Sequence, residues 1–190
     1  MGPLRQNRRL TAGRILGFIT MICAFCQAPL ACSQGVSYAE YNVKLAFLFN
    51  FARFVEWPPD AFSGDNAPLV ICVLGENPFK AELEDELRGR MAAGHPIEIK
   101  RFPPSADSGA CHLMFIPSRE GKAGEKMLPA LKGSNTLTVG ETQGFAERGG
   151  IVNFVLRDDR KLGFEINLGA ASQTRLKISS KLLNLARIVK

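Results

Sequence analysis

Leu69-Val70-Ile71-Cys72-Val73-Leu74 is an unbroken run of six apolar residues, bounded by Ala67-Pro68 before it and Gly75-Glu76-Asn77-Pro78 after it. Six residues are too few for a buried helix, and the flanking Gly and Pro mark both ends, so the run predicts a strand hidden on both faces. A strand of that kind belongs inside a sheet covered on two sides.

Other segments supply the rest of such a sheet. Ile97-Glu98-Ile99-Lys100-Arg101-Phe102 alternates and has one wet face. Residues 111–116, CHLMFI, form a further buried strand, and residues 136–139 a fourth. Residues 151–156 and 161–167 are alternating runs joined by Arg157-Asp158-Asp159-Arg160, which predicts an antiparallel hairpin. Helices are expected over 79–88, with Asn77 as cap and Pro78 in the first turn, over 124–131, and over 179–189. In the last, Ser179 would cap a face made by Leu182, Leu185, Ala186 and Val189. The fold class is therefore α/β: a mixed, largely parallel sheet with an antiparallel hairpin edge and helices on both faces.

The helix that begins this domain reads AEYNVKLAFLFNFARFVEWPP over residues 39–59. At ~100° per residue, Val43, Phe47, Phe51 and Phe54 fall on one side, and Leu45, Leu48, Phe49 and Ala52 on the other. A helix apolar nearly all round is either sandwiched within its own domain or shared with a second subunit or partner. In the second case Phe49, Arg53 and Trp57 are the interface candidates, with Trp57 as a rim anchor held by Pro58 and Pro59.

The N-terminal segment carries Arg5, Arg8, Arg9 and Arg14, no acidic residue, and then an apolar run over 15–26 followed by small residues. This is the layout of a secretory signal peptide; the run is shorter than the ~20 residues that span a bilayer. Cleavage is expected after Gly35, leaving a single domain over 36–190 in the periplasm. Leu30-Ala31-Cys32 also resembles a lipid-attachment site, with Cys32 as the acylated residue, but Pro29 departs from that pattern. Loss of the four arginines lowers the formal charge from +6 to +2. Without a clustered basic face, nucleic acid is not an expected partner.

Of five cysteines, Cys72 and Cys111 remain after cleavage. Two thiols left in an exported domain are expected to pair, the alternative being two reduced cysteines that act as small core hydrophobes. His95 and His112 complete a two-Cys, two-His set on paper, but the spacing is not that of a zinc motif, and no metal or other cofactor is expected. There is no H-E-x-x-H and no G-x-S-x-G, so no enzymatic activity is expected. Gly75, Glu76 and Asn77 stand at a strand-to-helix turn where backbone N–H groups could meet a ligand, although the repeated glycines of a diphosphate loop are missing.

Taken in order, YNVKLAFLFNFARFVEWPPDAF, APLVICVLGENPF, CHLMFIP, GFAERGGIVNFVL and FEINLGAASQTRLKISSKLLNLARIV resemble the YfiR-like family of bacterial exported proteins over residues 40–189. The resemblance implies a periplasmic α/β protein, often dimeric, without enzymatic activity. The member that gives the family its name inhibits a membrane-bound diguanylate cyclase through that enzyme's periplasmic part. It works in a circuit with an outer-membrane lipoprotein, and so restrains cyclic di-GMP synthesis and biofilm formation. Cys72 and Cys111 match one disulfide of that member, whereas its second pair has no counterpart here. The expectation is thus a regulator acting on the periplasmic part of a membrane diguanylate cyclase; the alternative is a small-molecule-binding accessory of a sensor kinase or transporter.

Overall fold

The structure is a computed structural model, and it describes Gly2 and residues 38–79, 81–103 and 111–190. The expected signal segment, its cleavage point at Gly35 and Cys32 lie outside the described residues. From Tyr38 onward the chain runs α1 (Tyr38–Phe54), β1 (Val55–Glu56), β2 (Leu69–Leu74), α2 (Ala81–Leu87), β3 (Met91–Ala92) and β4 (His95–Phe102). It continues β5 (Leu113–Ile116), α3 (Gly121–Leu131), β6 (Leu137–Gly140), β7 (Val152–Leu156) and β8 (Leu162–Asn167). The last elements are α4 (Leu168–Ser172), β9 (Lys177–Ile178), α5 (Ser180–Leu183) and β10 (Arg187–Val189).

Eight strands form one sheet in the order β10-β8-β7-β6-β5-β2-β4-β3. The pairs β7·β8 and β3·β4 are antiparallel and the rest parallel, which is the mixed α/β sheet expected. β2, β5 and β6 are buried along their whole length. Their apolar runs are unbroken because each face has cover.

On the front face, Ile71, Val73, Phe115, Val139, Phe154 and Phe164 share a core with Leu48 and Phe51 of α1, Leu87 of α2 and Leu182 of α5. On the back face, Val70, Cys72, Leu74, Met114 and Ile116 meet Leu128 and Leu131 of α3 together with Phe145. A Cβ at Gly124 would run into the Ile116 side chain, so glycine is what lets α3 sit this close to β5.

α1 differs from the all-round apolar helix expected. Lys44, Leu45, Leu48, Phe51 and Ala52 are buried, Phe47, Phe49 and Phe54 are half-buried flanks, and Val43, Ala46 and Arg53 are exposed. The excess of phenylalanine widens a single stripe: Phe47 and Phe51 both meet Phe154 and Phe164, with centroids 5.0–6.0 Å apart.

The C-terminal helix expected over 179–189 is one turn only. Ser179 does cap it, its Oγ accepting from the Leu182 N–H, but the chain then turns at Asn184 and becomes β10 beside β8. The β-branched Ile188-Val189 finds a parallel partner in Ile166-Asn167, and eight-strand pairing outweighs a marginal exposed helix.

Candidate functional site

β2 is the first strand of the large sheet, and its neighbours β4 and β5 lie on opposite sides of it. The winding therefore reverses between β2 and β5, and the crevice beyond their carboxyl ends is where sheets of this kind place ligands. Gly75, Glu76 and Asn77 stand at that crevice, as the first residues after β2. Gly75 takes a positive φ of 71°, its N–H donates to the Phe102 carbonyl at 2.8 Å, and the Glu120 side chain occupies the space that a Cβ would need. Glu76 pairs with Arg119. Asn77 Oδ1 accepts from the Phe79 N–H at 2.9 Å and its amide reaches Glu84, so all three residues are engaged by their neighbours.

Sequence reading missed the residues that dominate this end of the sheet. Tyr41 and Lys44, three apart on α1, both reach Glu141, the residue after β6. Lys44 and Glu141 are each only 3% exposed at the side chain and lie 2.5 Å apart. Lys44 also holds Glu40 at 2.6 Å. The other Glu141 oxygen accepts from the Tyr41 hydroxyl at 3.2 Å and from the Ser118 N–H at 2.7 Å, so its lone pairs are well satisfied. One carboxylate thus ties α1 to the ends of β5 and β6. Burial, and then the Glu141 charge, push the Tyr41 phenol well above its usual range, which keeps it a neutral hydrogen-bond donor. The spacing Glu40-Tyr41-Lys44 was the only signal available, and by itself it reads as an ordinary i,i+4 surface pair.

At the opposite, amino end of the sheet the histidines have structural partners. His112 Nδ1 accepts from the Val70 N–H at 3.1 Å, and Nε2–H donates to the Ala61 carbonyl at 3.0 Å. His95 Nδ1–H donates to the Ala67 carbonyl at 2.8 Å. Phe62 stacks between the two rings, with centroids 3.6 Å from His95 and 4.4 Å from His112. Burial lowers the His112 pKa, and both ring nitrogens are used by the neutral form. Trp57, expected at a rim, is 8% exposed and donates its indole N–H to the His112 carbonyl at 3.2 Å. Phe49 lies between two guanidinium groups, Arg53 at 5.6 Å and Arg90 at 5.4 Å from its ring. Arg53 is exposed, and it lines a surface pocket of about 460 Å³ together with Trp57 and His95.

Cys72 and Cys111 form a disulfide, with Cα atoms 5.8 Å apart, within the back-face core. No group of three or more His, Cys, Asp or Glu side chains among the described residues is placed to hold a metal ion. These groups serve as ties: a buried ion pair at one end of the sheet, two histidine clamps at the other, a disulfide between.

The fold that these ties hold together is a doubly wound α/β domain. Comparison with known families places it further: the YfiR/HmsC-like family model matches residues 41–187, and the chain belongs to that family. The family is one of regulatory, non-catalytic periplasmic proteins. A search of curated proteins returned no match. No helix among the described residues is long and apolar enough to cross a membrane.

Proposed function

We infer that this protein is a periplasmic regulator that acts by binding another protein, the periplasmic part of a membrane-bound diguanylate cyclase, and so lowers cyclic di-GMP synthesis. The family match, spanning residues 41–187, is the observation that carries this reading. Mechanistically, inhibition needs only that the regulator bind the inactive state of the cyclase more tightly than the active one; a hundredfold preference shifts that equilibrium by about 2.7 kcal/mol.

The working face in this reading includes Phe49 and Arg53. Phe49 is half-buried beside Arg53 and Arg90, a pairing of aromatic and guanidinium groups of the kind that dominates interface energy. The same face would serve a homodimer, and Trp57 would support it from beneath.

The test is affinity capture of the tagged protein from its own periplasm and membranes, with cellular cyclic di-GMP measured in a strain lacking the gene. Recovery of a membrane diguanylate cyclase and a rise in cyclic di-GMP on deletion are expected. Unchanged cyclic di-GMP with no cyclase recovered would refute the reading.

A further inference from the structure

Between β6 and β7 the large sheet opens. Their ladder consists of Val139 opposite Val152 and Gly140 opposite Asn153, after which β6 ends while β7 runs on to Leu156. The hairpin ladder tells which way the backbone of β7 faces. Asn167 N–H donates to Ile151 O, and Arg157 N–H to Lys161 O, so the Ile151 carbonyl, the Arg157 N–H and both backbone groups of residues 153 and 155 between them face β8. The even residues turn theirs the other way. The carbonyl of Phe154 and both backbone groups of Leu156 therefore face the gap, with no strand opposite them.

That gap is a cleft of about 530 Å³, the volume of an ordinary ligand site. Its walls are apolar along β7 and β8, from Phe154, Val155, Leu156 and Leu162. Its polar rim carries four carboxylates, Glu40, Glu141, Glu147 and Glu165, against two cations, Lys44 and Arg187. Both cations are already neutralised, Lys44 by Glu40 and Glu141, and Arg187 by Glu165. Two negative charges are left in excess, and Glu147 has no ion-pair partner among the described residues.

We propose that this cleft binds a short, extended, positively charged peptide segment, which adds as a strand along Phe154–Leu156 and places a cationic side chain against Glu147. Two features select that class together. The free strand edge calls for a ligand with backbone amides, whose N–H and C=O groups complete the ladder that β6 abandons. The excess of carboxylate then selects positive charge and works against an acidic segment. A ligand with charge alone, such as a small diamine, leaves the strand edge unpaired. The cleft lies at the far end of α1 from Arg53 and Trp57, so this site is separate from the interface assigned above and does not depend on it.

The test uses the protein purified with its disulfide intact, titrated calorimetrically with the tripeptides Lys-Val-Lys and Glu-Val-Glu and with pentane-1,5-diamine, and followed by amide NMR shifts. Lys-Val-Lys is expected to bind, with the largest shifts at 154–156, and at least tenfold more tightly than either of the other two. Glu147→Lys changes an exposed residue and should weaken Lys-Val-Lys at least tenfold while circular dichroism stays unchanged. Leu156→Pro, which deletes one N–H facing the gap, should weaken it as well. No binding of Lys-Val-Lys, equal binding of Glu-Val-Glu or of the diamine, shifts centred away from β7, or an unaffected Glu147→Lys variant would each overturn the proposal.

Discussion

The back face of the one large sheet has two halves built on opposite terms. Over β2 and β5 it presents Val70, Cys72, Leu74, Met114 and Ile116, sealed under α3 and crossed by the disulfide. Over β7 and β8 the same face presents Asn153, Glu165 and Asn167, all buried yet polar. Asn167 is satisfied by the Ala146 carbonyl at 2.7 Å, and Glu165 by Arg187, but Asn153 Oδ1 has no partner. A helix can cover an apolar half and gain from it at ~25 cal/mol per Å² buried. The polar half is closed by the loop after β6 and by one exposed arginine, and it borders a cleft. One half of this face is apolar and cross-linked; the other buries polar side chains beside the cleft.

If that division is right, the largest loss should come from the sealed half. Replacing both cysteines by alanine removes a cross-link over a sequence separation of 39 residues. In the chain-entropy model this costs about 4 kcal/mol, measurable as a lower denaturant midpoint with an intact native fold. A cost below about 1 kcal/mol would show that the disulfide does not reinforce this half.

Lys44→Met tests the seam. It strands the buried Glu141 carboxylate and should cost about 3 kcal/mol, whereas Lys44→Met combined with Glu141→Leu should recover a good part of that loss. Equal losses in the single and double variants would mean that the pair contributes by its hydrogen bonds to Tyr41 and Ser118 and not by mutual neutralisation.

The two halves can be compared directly by truncation. Met114→Ala, at a fully buried site under α3, should cost about 2–3 kcal/mol by urea unfolding. Asn153→Ala removes an unsatisfied amide oxygen together with one long hydrogen bond, 3.4 Å, from Nδ2–H to Glu165, and should cost about 1 kcal/mol. Equal costs would erase the distinction drawn above.

The smallest effect belongs to His112. Burial lowers its pKa in the folded state, so the unfolded chain binds the proton more readily. Stability is then full above the unfolded value of about 6.5 and falls as pH drops below it, toward the lowered folded value, with a slope of at most about 1.4 kcal/mol per pH unit. Protonated Nδ1 can no longer accept from the Val70 N–H. In His112→Gln this part of the slope below about pH 6.5 should vanish; an unchanged slope would assign it to other groups.

In both halves the strands themselves were legible from local pattern. The run over Leu69–Leu74 is a strand with the bounds read for it, and the hairpin around Arg157-Asp158-Asp159-Arg160 pairs Val152 with Ile166 through Leu156 with Leu162. The ties between distant segments were not legible. Lys44 reads as the wet side of an amphipathic turn, and only the arrival of Glu141, 97 residues later in the chain, turns that side inward. Trp57 reads as a rim anchor until its indole meets the His112 carbonyl.

Apolar runs, turn residues and the Ser179 cap act within a few residues of themselves, so their physics is written locally and the strands, the hairpin and the start of α5 follow from it. Which strand lies beside which, that residues 187–189 join β8 as a strand, and that β6 stops short of β7 and opens a cleft are decided by pairing across the fold. Those choices weigh hydrogen bonds and burial that exist only once distant segments have met, and no window of the chain contains both partners.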